Sequence, residues 1–248
     1  MTKPEIPSLR LGLCGWNGSQ PTYFDNFDCI EIQSTFYDPP GLQVARKWRA
    51  AAPPGFQFCI KAWQLITHRA TSPTYRRLRS PLPPEDREAV GSFRQTDQVW
   101  RAWLRTLDVA RAVDAHVILF QCPQSFLPTS ENLINVSAFF RKVSRDQFRL
   151  AFEPRGEAWT PDIVHDLCAE HNLLHCVDPF DNASVFGDLR YWRLHGRESY
   201  AYRYTDKDLS ALRQMLIKQP QPGFLMFNNF SSKVDAQRFR QLMIDTRI

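Results

Sequence analysis

The sequence has no hydrophobic run long enough to cross a membrane. Its 248 residues contain no apolar stretch that approaches the roughly 20 residues of a membrane-spanning helix. The first segment, Met1–Arg10, contains two prolines and an acidic residue and lacks the apolar stretch of a secretory signal peptide. No membrane partner is therefore predicted, and we expect a cytoplasmic protein.

Closely spaced cysteine pairs are also absent. The six cysteines form no Cys-x-x-Cys pair and lack the spacing of a zinc site. Five of them lie within or at the ends of apolar runs, and Cys168 lies in a helix-like segment. We interpret them as reduced, buried thiols that pack as small apolar residues.

A glycine-rich phosphate loop, an internal repeat and a linker are missing as well. The missing phosphate loop disfavours a doubly wound open sheet, which is the alternative fold. Hydrophobic residues make up 43% of the chain and aromatic residues 13%, enough for a sizeable core. The net charge of +5 favours anionic partners without identifying one.

Eight short apolar runs divide the chain, as expected of strands that are covered on both faces. They are Leu11–Cys14, Cys29–Gln33, Gln57–Lys61, Val117–Gln121, Arg149–Glu153, Leu174–Asp178, Tyr191–His195 and Phe224–Asn228. Helix-like segments follow most of them: Leu42–Ala52, Ser92–Ala115, Asn132–Val143, Pro161–Asn172, Thr205–Lys218 and Ser232–Met243. This alternation predicts an α/β fold, a single TIM-type (β/α)8 barrel domain over residues 1–248, with short or irregular helices after strands 1 and 6.

One connection is unusually long and basic. The segment 65–91 is rich in proline and contains Arg69, Arg76, Arg77 and Arg79. Long loops of this kind often act as lids or binding loops. We expect it to lie over the carboxyl end of the barrel and to be more mobile than the strands.

Side chains alternate along a strand, so the apolar pattern predicts which residues face the barrel interior. If Ile30 and Ile32 face the helices, Glu31 faces inward. The same rule sends a polar side chain inward from seven strands, near the carboxyl ends where barrel enzymes place their active sites. The inward-facing polar set is Glu31, Gln33, Lys61, Gln121, Glu153, Arg155, Asp178, Arg193, His195 and Asn228.

This set favours acid–base chemistry on an anion. The catalytic candidates are Glu31, Lys61, His68, Glu153, Asp178 and His195, with Glu31 or Glu153 as general base and His195 or His68 as general acid. Lys61, Arg155 and Arg193 would hold phosphate or carboxylate. We expect Arg155 and Arg193 to face the mouth without full pairing, so that replacing both by methionine preserves folding. A structural salt-bridge network that fills the barrel is the alternative interpretation.

Aromatic residues after the strands are further candidates for the pocket wall. Trp16 and Tyr37 would stack on a planar substrate, or else pack in the core or at the rim. The hydroxyl groups of Tyr200, Tyr202 and Tyr204 would reach a ligand, unless these residues form a surface loop.

The chain resembles domain-of-unknown-function family 72, the YecE-like proteins. The resemblance rests on the following motifs in order: Cys14-Gly15-Trp16, Ile30-Glu31-Ile32-Gln33-Ser34-Thr35-Phe36-Tyr37, Lys61, Thr67-His68, Gln121-Cys122-Pro123, Phe152-Glu153-Pro154-Arg155, Asp178, Arg193-Leu194-His195-Gly196 and Phe227-Asn228-Asn229. It implies a TIM barrel and no established activity. The substrate-binding candidates are Trp16, Thr35, Tyr37, Gln121, Arg155, Arg193, Tyr204, Asn228 and Asn229.

These observations favour a hydrolase, lyase or isomerase that acts on a small or nucleotide-like anionic substrate. No cofactor is predicted. A divalent metal on Glu31, Glu153, Asp178 and His195 is a variant, but three nearby cations would compete for those carboxylates. The alternative function is a nucleic-acid-binding protein or metal-dependent nuclease, in which the basic loop follows a phosphate backbone. The sequence leaves the oligomeric state open.

Overall fold

The structure is a computed structural model that describes residues 9–245. The strands are β1 (Leu9–Cys14), β2 (Cys29–Ile32), β3 (Gln57–Lys61), β4 (Ala115–Gln121), β5 (Arg149–Glu153), β6 (Leu174–His175), β7 (Arg190–Leu194) and β8 (Gly223–Phe227). The helices are α1 (Gln20–Asn26), α2 (Ser34–Tyr37), α3 (Leu42–Ala51), α4 (Gln64–Thr67), α5 (Asp97–Val113), α6 (Ser130–Lys142), α7 (Pro161–Glu170), α8 (Asp206–Lys218) and α9 (Ser232–Asp245). Residues 1–8 and 246–248 lie outside the described part. The prediction that Met1–Arg10 lacks a signal peptide falls mostly on these residues, and the domain limits 1–248 stay a prediction.

All strand pairs are parallel, in the order β6-β5-β4-β3-β2-β1-β8-β7. A single bridge between Val177 and Trp192 joins the two ends of this sheet. The backbone N–H of Arg193 donates to the carbonyl of Val177 at 2.9 Å beside it. The chain is therefore a nearly closed TIM barrel, which confirms the predicted fold. As expected, only the seven-residue α1 follows β1, and no helix lies between β6 and β7 in the described chain.

Alternate strand residues form two separate apolar layers, which confirms the predicted alternation. The barrel interior contains Cys29, Cys59, Val117, Leu119, Ala151, Leu174, Cys176, Tyr191, Phe224 and Met226. The outer layer, under the helices, includes Ile30, Ile32, Phe58, Ile60, Phe120, Phe152, Trp192 and Leu194. All six cysteines are free thiols, and five are buried. None of the described helices is long and apolar enough to span a bilayer.

The basic segment 65–91 lies at the predicted end of the barrel, although it contains short helical turns. Nε of Arg79 lies 3.0 Å from Oδ2 of Asp38, in the connection that follows β2. The guanidinium of Arg77 lies over the ring of Tyr37, 4.2 Å from its centroid, just beyond β2. The contacts therefore place this segment at the carboxyl end of β2, and its greater mobility stays a prediction.

Phe93 anchors the return from this segment to α5. It is fully buried although its backbone φ is 53°, in the left-handed region that side chains rarely adopt. Its ring contacts Phe120 of β4, Phe139 and Phe140 of α6, and Phe152 of β5. Aromatic packing against several elements therefore holds the chain in this backbone conformation.

Replacing Phe93 by alanine should lower the free energy of unfolding by about 3–5 kcal/mol, since it opens a cavity in this aromatic cluster. Leu104→Ala is the control, because Leu104 lies on α5 and is 58% exposed. Its effect should stay within about 0.5 kcal/mol. Urea unfolding followed by circular dichroism measures both values. Equal effects of the two substitutions would contradict the packing described here.

Candidate functional site

Arg193 of β7 lies at the centre of the inward-facing polar residues, between two carboxylates. Its Nη2 donates to Oε1 of Glu31 at 2.9 Å, and its Nη1 donates to Oε2 of Glu153 at 2.5 Å. The exposed fractions of the three side chains are 1%, 0% and 4%. The hydroxyl of Tyr191 donates to the other oxygen of Glu31 at 2.8 Å. Arg193 thus connects β2 and β5 through the barrel interior.

This geometry corrects the expectation that Arg193 faces an incoming anion. A guanidinium on a long side chain reaches the centre, where it meets carboxylates from both sides. We therefore expect the loss of Arg193 to destabilise the fold, because its removal would leave two buried carboxylates without their shared counter-ion.

Arg193 and other nearby cations keep the Glu153 side chain ionised. Burial alone would raise its pKa, but Arg193, Arg155 and other nearby cations outweigh burial and lower the pKa from 4.5 to about 2. For Arg193, burial acts against the charge, but Glu153 and Glu31 raise its pKa well above the ordinary value. Glu153 is therefore a carboxylate at neutral pH, and it is a weak base.

Lys61 of β3 occupies the other side of this cluster. Its Nζ donates to Oε1 of Gln121 at 2.9 Å and lies 4.0 Å from the ring centroid of Phe36. Burial and the nearby Arg193 lower the pKa of Lys61 to about 8, although Glu31 acts in the opposite direction. Lys61 is thus a buried amine that titrates close to physiological pH.

His195, one residue beyond β7, receives hydrogen bonds from two arginines. Nη2 of Arg155 lies 2.8 Å from Nε2 of His195, and Nη1 of Arg193 lies 3.2 Å from the same atom. Because arginine only donates, Nε2 carries the lone pair and the ring proton lies on Nδ1. Nδ1 faces Oδ2 of Asp178 at 3.5 Å, and the same oxygen accepts the backbone N–H of His195 at 2.8 Å. Asp178 therefore fixes the backbone of His195 and lies close to the imidazole, whose Nδ1 has no hydrogen-bond partner within the described residues.

Arg155 is the arginine that remains accessible. Its side chain is 33% exposed, and its Nη2 contacts Oε1 of Glu153 and Nε2 of His195. Within the described chain, Nη1 and Nε of Arg155 have no hydrogen-bond partner. Nη1 of Arg155 is therefore left for a ligand, whereas both terminal nitrogens of Arg193 are paired with carboxylates.

A cavity of about 530 Å³ lies beside Arg155 and His195. It lies at the carboxyl ends of β5 and β6, and its wall includes Asp178, Asp181 and the first turn of α7. Burial and the neighbouring Asp178 raise the pKa of Asp181. Asp181 is not among the residues predicted from the sequence, although a second acid three residues after Asp178 was an available signal.

Two candidates near β3 have structural partners. Thr35 is buried, and its Oγ1 lies 2.7 Å from the carbonyl oxygens of Ile32 and Lys61, so it ties the ends of β2 and β3 together. His68 is also buried, and its Nδ1 lies 2.7 Å from Oγ1 of Thr67. Burial and Lys61 lower the pKa of His68 to about 3. The lowered pKa favours the neutral imidazole, and the role of His68 as general acid stays a prediction.

The aromatic candidates lie away from the cavity. The ring of Trp16 packs against Tyr23, Phe24 and Phe58 in the outer layer, which is the packing alternative. Tyr37 is half-buried and covered by the basic segment.

Two further candidates, Tyr204 and Asn229, connect loops through hydrogen bonds. The hydroxyl of Tyr204 accepts the backbone N–H of Gly196 at 2.8 Å. Nδ2 of Asn229 donates to the carbonyl of Tyr202 and to Oδ2 of Asp235, at 2.8 and 2.7 Å. The fully buried Asp235 is not among the residues predicted from the sequence, because a single acidic residue in a helix does not indicate a site. Asn228 is half-buried, and its backbone N–H donates to Leu194.

The metal variant finds no support in this arrangement. No group of three or more His, Cys, Asp and Glu side chains within residues 9–245 is arranged to hold a metal ion. Glu31 and Glu153 direct their oxygens toward Arg193 instead.

Comparison with known proteins identifies relatives along nearly the whole chain. The family model described as "Protein of unknown function DUF72" matches residues 19–247. The UPF0759 protein YunF of Bacillus subtilis (strain 168) is 23% identical, over 95% of this chain and 93% of that protein.

Solved structures agree on the fold. A DUF72 family protein from Thermotoga maritima MSB8 superimposes with a TM-score of 0.70 at 18% identity, covering 96% of this chain and 99% of the other. A xylose isomerase-like TIM barrel/4-hydroxyphenylpyruvate dioxygenase fusion protein gives a TM-score of 0.56 at 11% identity, over 94% of this chain and 42% of that protein. These likenesses show the barrel fold and no activity.

Replacing Arg193 by methionine should lower the free energy of unfolding by about 3–5 kcal/mol, because Glu31 and Glu153 lose their shared counter-ion. Arg155→Met is the matched control. It should cost less than about 1 kcal/mol, since Arg155 is partly exposed and Arg193 still compensates Glu153. Urea unfolding at pH 7 measures both. A loss as large for Arg155 as for Arg193 would show that the centre of the network lies elsewhere.

Glu153 should also contribute to the acid sensitivity of the fold. Its pKa is 4.5 ordinarily and about 2 in the native protein. The unfolded chain therefore binds more protons in this range, so the contribution is fully present above pH 4.5 and is lost as the pH falls through 2. In Glu153→Gln, the free energy of unfolding should decrease less steeply between pH 4.5 and pH 2 than in the parent protein. Glu88→Gln, at an 83% exposed side chain, should leave the slope unchanged, and identical slopes in both variants would refute the assignment.

Proposed function

The chain belongs to the DUF72 family of proteins of unknown function. We propose that it is an enzyme that binds a small anionic substrate at Arg155 and transfers a proton through His195. The supporting observation is that Arg193 and Arg155 differ in how completely they are paired with carboxylates. Arg193 is enclosed by two carboxylates, whereas Arg155 presents free donors beside a cavity of about 530 Å³. A phosphate or carboxylate group accepts such donors in charge-assisted hydrogen bonds.

His195 is the proton acceptor in this proposal. Its Nε2 bears the lone pair, and Oδ2 of Asp178 lies 3.5 Å from Nδ1 on the opposite edge of the ring. An anion that draws Nη2 of Arg155 toward itself leaves only the longer, 3.2 Å contact of Arg193 Nη1 on this lone pair, which then takes a proton from a substrate C–H bond or from a water molecule. The imidazolium that forms is stabilised by Asp178 across Nδ1–H, as in other carboxylate–histidine pairs. Hydrolase, lyase and isomerase reactions all use such a step.

The surrounding charges suit this role. Glu153 stays ionised and balances Arg155 and Arg193 while the substrate is absent. Asp181, whose pKa is raised by burial and by Asp178, is a second carboxyl group on the cavity wall. Two carboxyl groups and an imidazole with different proton affinities supply both an acid and a base.

The nucleic-acid alternative has weaker support. Arg69 and Arg79 of the basic segment pair with Glu88 and Asp38, at 3.4 and 3.0 Å. Arg77 lies over Tyr37. These contacts reduce the charge that the segment would offer to a phosphate backbone.

The cytoplasmic location expected from the sequence stays a prediction.

Inorganic phosphate should raise the melting temperature of the parent protein and bind measurably by calorimetry. Arg155→Met should weaken phosphate binding by roughly 10- to 100-fold, since a charge-assisted hydrogen bond contributes about 1.5–3 kcal/mol. Arg141→Met on α6 is the control, because that arginine is 67% exposed and pairs with Glu170. Acetate in place of phosphate tests a carboxylate. Equal phosphate binding by the parent and Arg155→Met would place the site elsewhere.

A further inference from the structure

Two exposed aromatic side chains stand at the rim of the barrel mouth. Phe230, in the loop after β8, is 78% exposed, and Tyr200, in the loop after β7, is 44% exposed. Their rings are nearly parallel, 25° apart, with centroids separated by 6.4 Å. Large aromatic rings are rarely left in solvent to this extent without a role, because their burial is favourable.

Hydrogen bonds hold this pair in place. The backbone N–H of Phe230 donates to the carbonyl of Tyr200 at 2.7 Å, which joins the two loops directly. Next to it, the fully buried Asp235 accepts the backbone N–H of Tyr204 at 3.1 Å and the amide of Asn229 at 2.7 Å. Loops tied at the backbone and through a buried carboxylate present the rings in a fixed orientation, so little conformational entropy is lost when a ligand binds.

The pair also adjoins the proposed chemistry. The ring of Tyr200 lies edge-on to the imidazole of His195, with centroids 5.8 Å apart. Nε2 of that imidazole lies 2.8 Å from Arg155. Arg155, His195, Tyr200 and Phe230 thus follow one another along the mouth, from the anion-binding end to the aromatic end.

We propose that Tyr200 and Phe230 form an aromatic platform that stacks on a planar ring of the substrate, while Arg155 holds the anionic group of the same molecule. The substrate class is therefore an aromatic or heteroaromatic compound that carries a phosphate or carboxylate. This inference rests on the proposed function and specifies its substrate.

A small ring fits this surface better than a protein partner does. The flanking residues Arg197, Glu198 and Ser199 are exposed and polar, so the loop that carries Tyr200 offers little apolar area besides its ring. A stable protein interface needs about 1,000 Å² of buried surface. A flat aromatic group needs only the face of one or two rings.

The test compares methyl phosphate with phenyl phosphate by calorimetry. The parent protein should bind phenyl phosphate at least about five-fold more tightly, which is the lower end of the effect of a stacked ring. Phe230→Ala and Tyr200→Ala should lose this preference and keep the affinity for methyl phosphate. Phe230→Trp should retain the preference. Ile134→Ala, at a 68% exposed apolar residue on α6, is the control.

The outcomes separate the two proposals. If the parent binds both esters equally well, the aromatic platform is overturned while anion binding at Arg155 stands. If the parent binds neither ester, the proposed function fails and the platform fails with it. If Phe230→Ala changes the mass measured by sedimentation and leaves the ester preference intact, the rings form a contact between copies of the chain, and the platform is overturned.

Discussion

The ionic contact of Arg193 with Glu31 and Glu153 is the constraint around which the barrel mouth is organised. It lies where the apolar filling of the barrel ends, and it joins strands on opposite sides of the interior. Each of the three charges is almost fully removed from water, so each depends on the other two. The contact therefore closes the top of the core and fixes the position of the strands whose ends form the site.

That contact also divides the polar residues by role. On one side, Lys61 and Gln121 continue the buried network. On the other side, Arg155 and His195 border an open cavity. The same residue types are thus structural where they are enclosed and available for a ligand where they reach the cavity. Because Glu153 contacts both arginines, the charge of the site is balanced before any ligand enters.

Much of this arrangement could be predicted from the alternation of apolar residues. Ile30 and Ile32 on the helix side require Glu31 inside, and the same rule places Lys61, Glu153 and Arg193 correctly. The candidates outside the strands were harder to place. Trp16 and Thr35 lie in connections, where no alternation applies, and tertiary packing decided their positions.

The sequence by itself determined the barrel, the inward-facing side of each strand and the set of charges at the carboxyl ends, because side-chain alternation and burial are local properties of a strand. Only the tertiary structure decided which charges meet. Pairing depends on distances across the barrel and on the reach of long side chains, and neither is encoded in the spacing of residues along one strand. For that reason Arg155 and Arg193, two residues with the same chemistry, received the same prediction and differ in the folded protein.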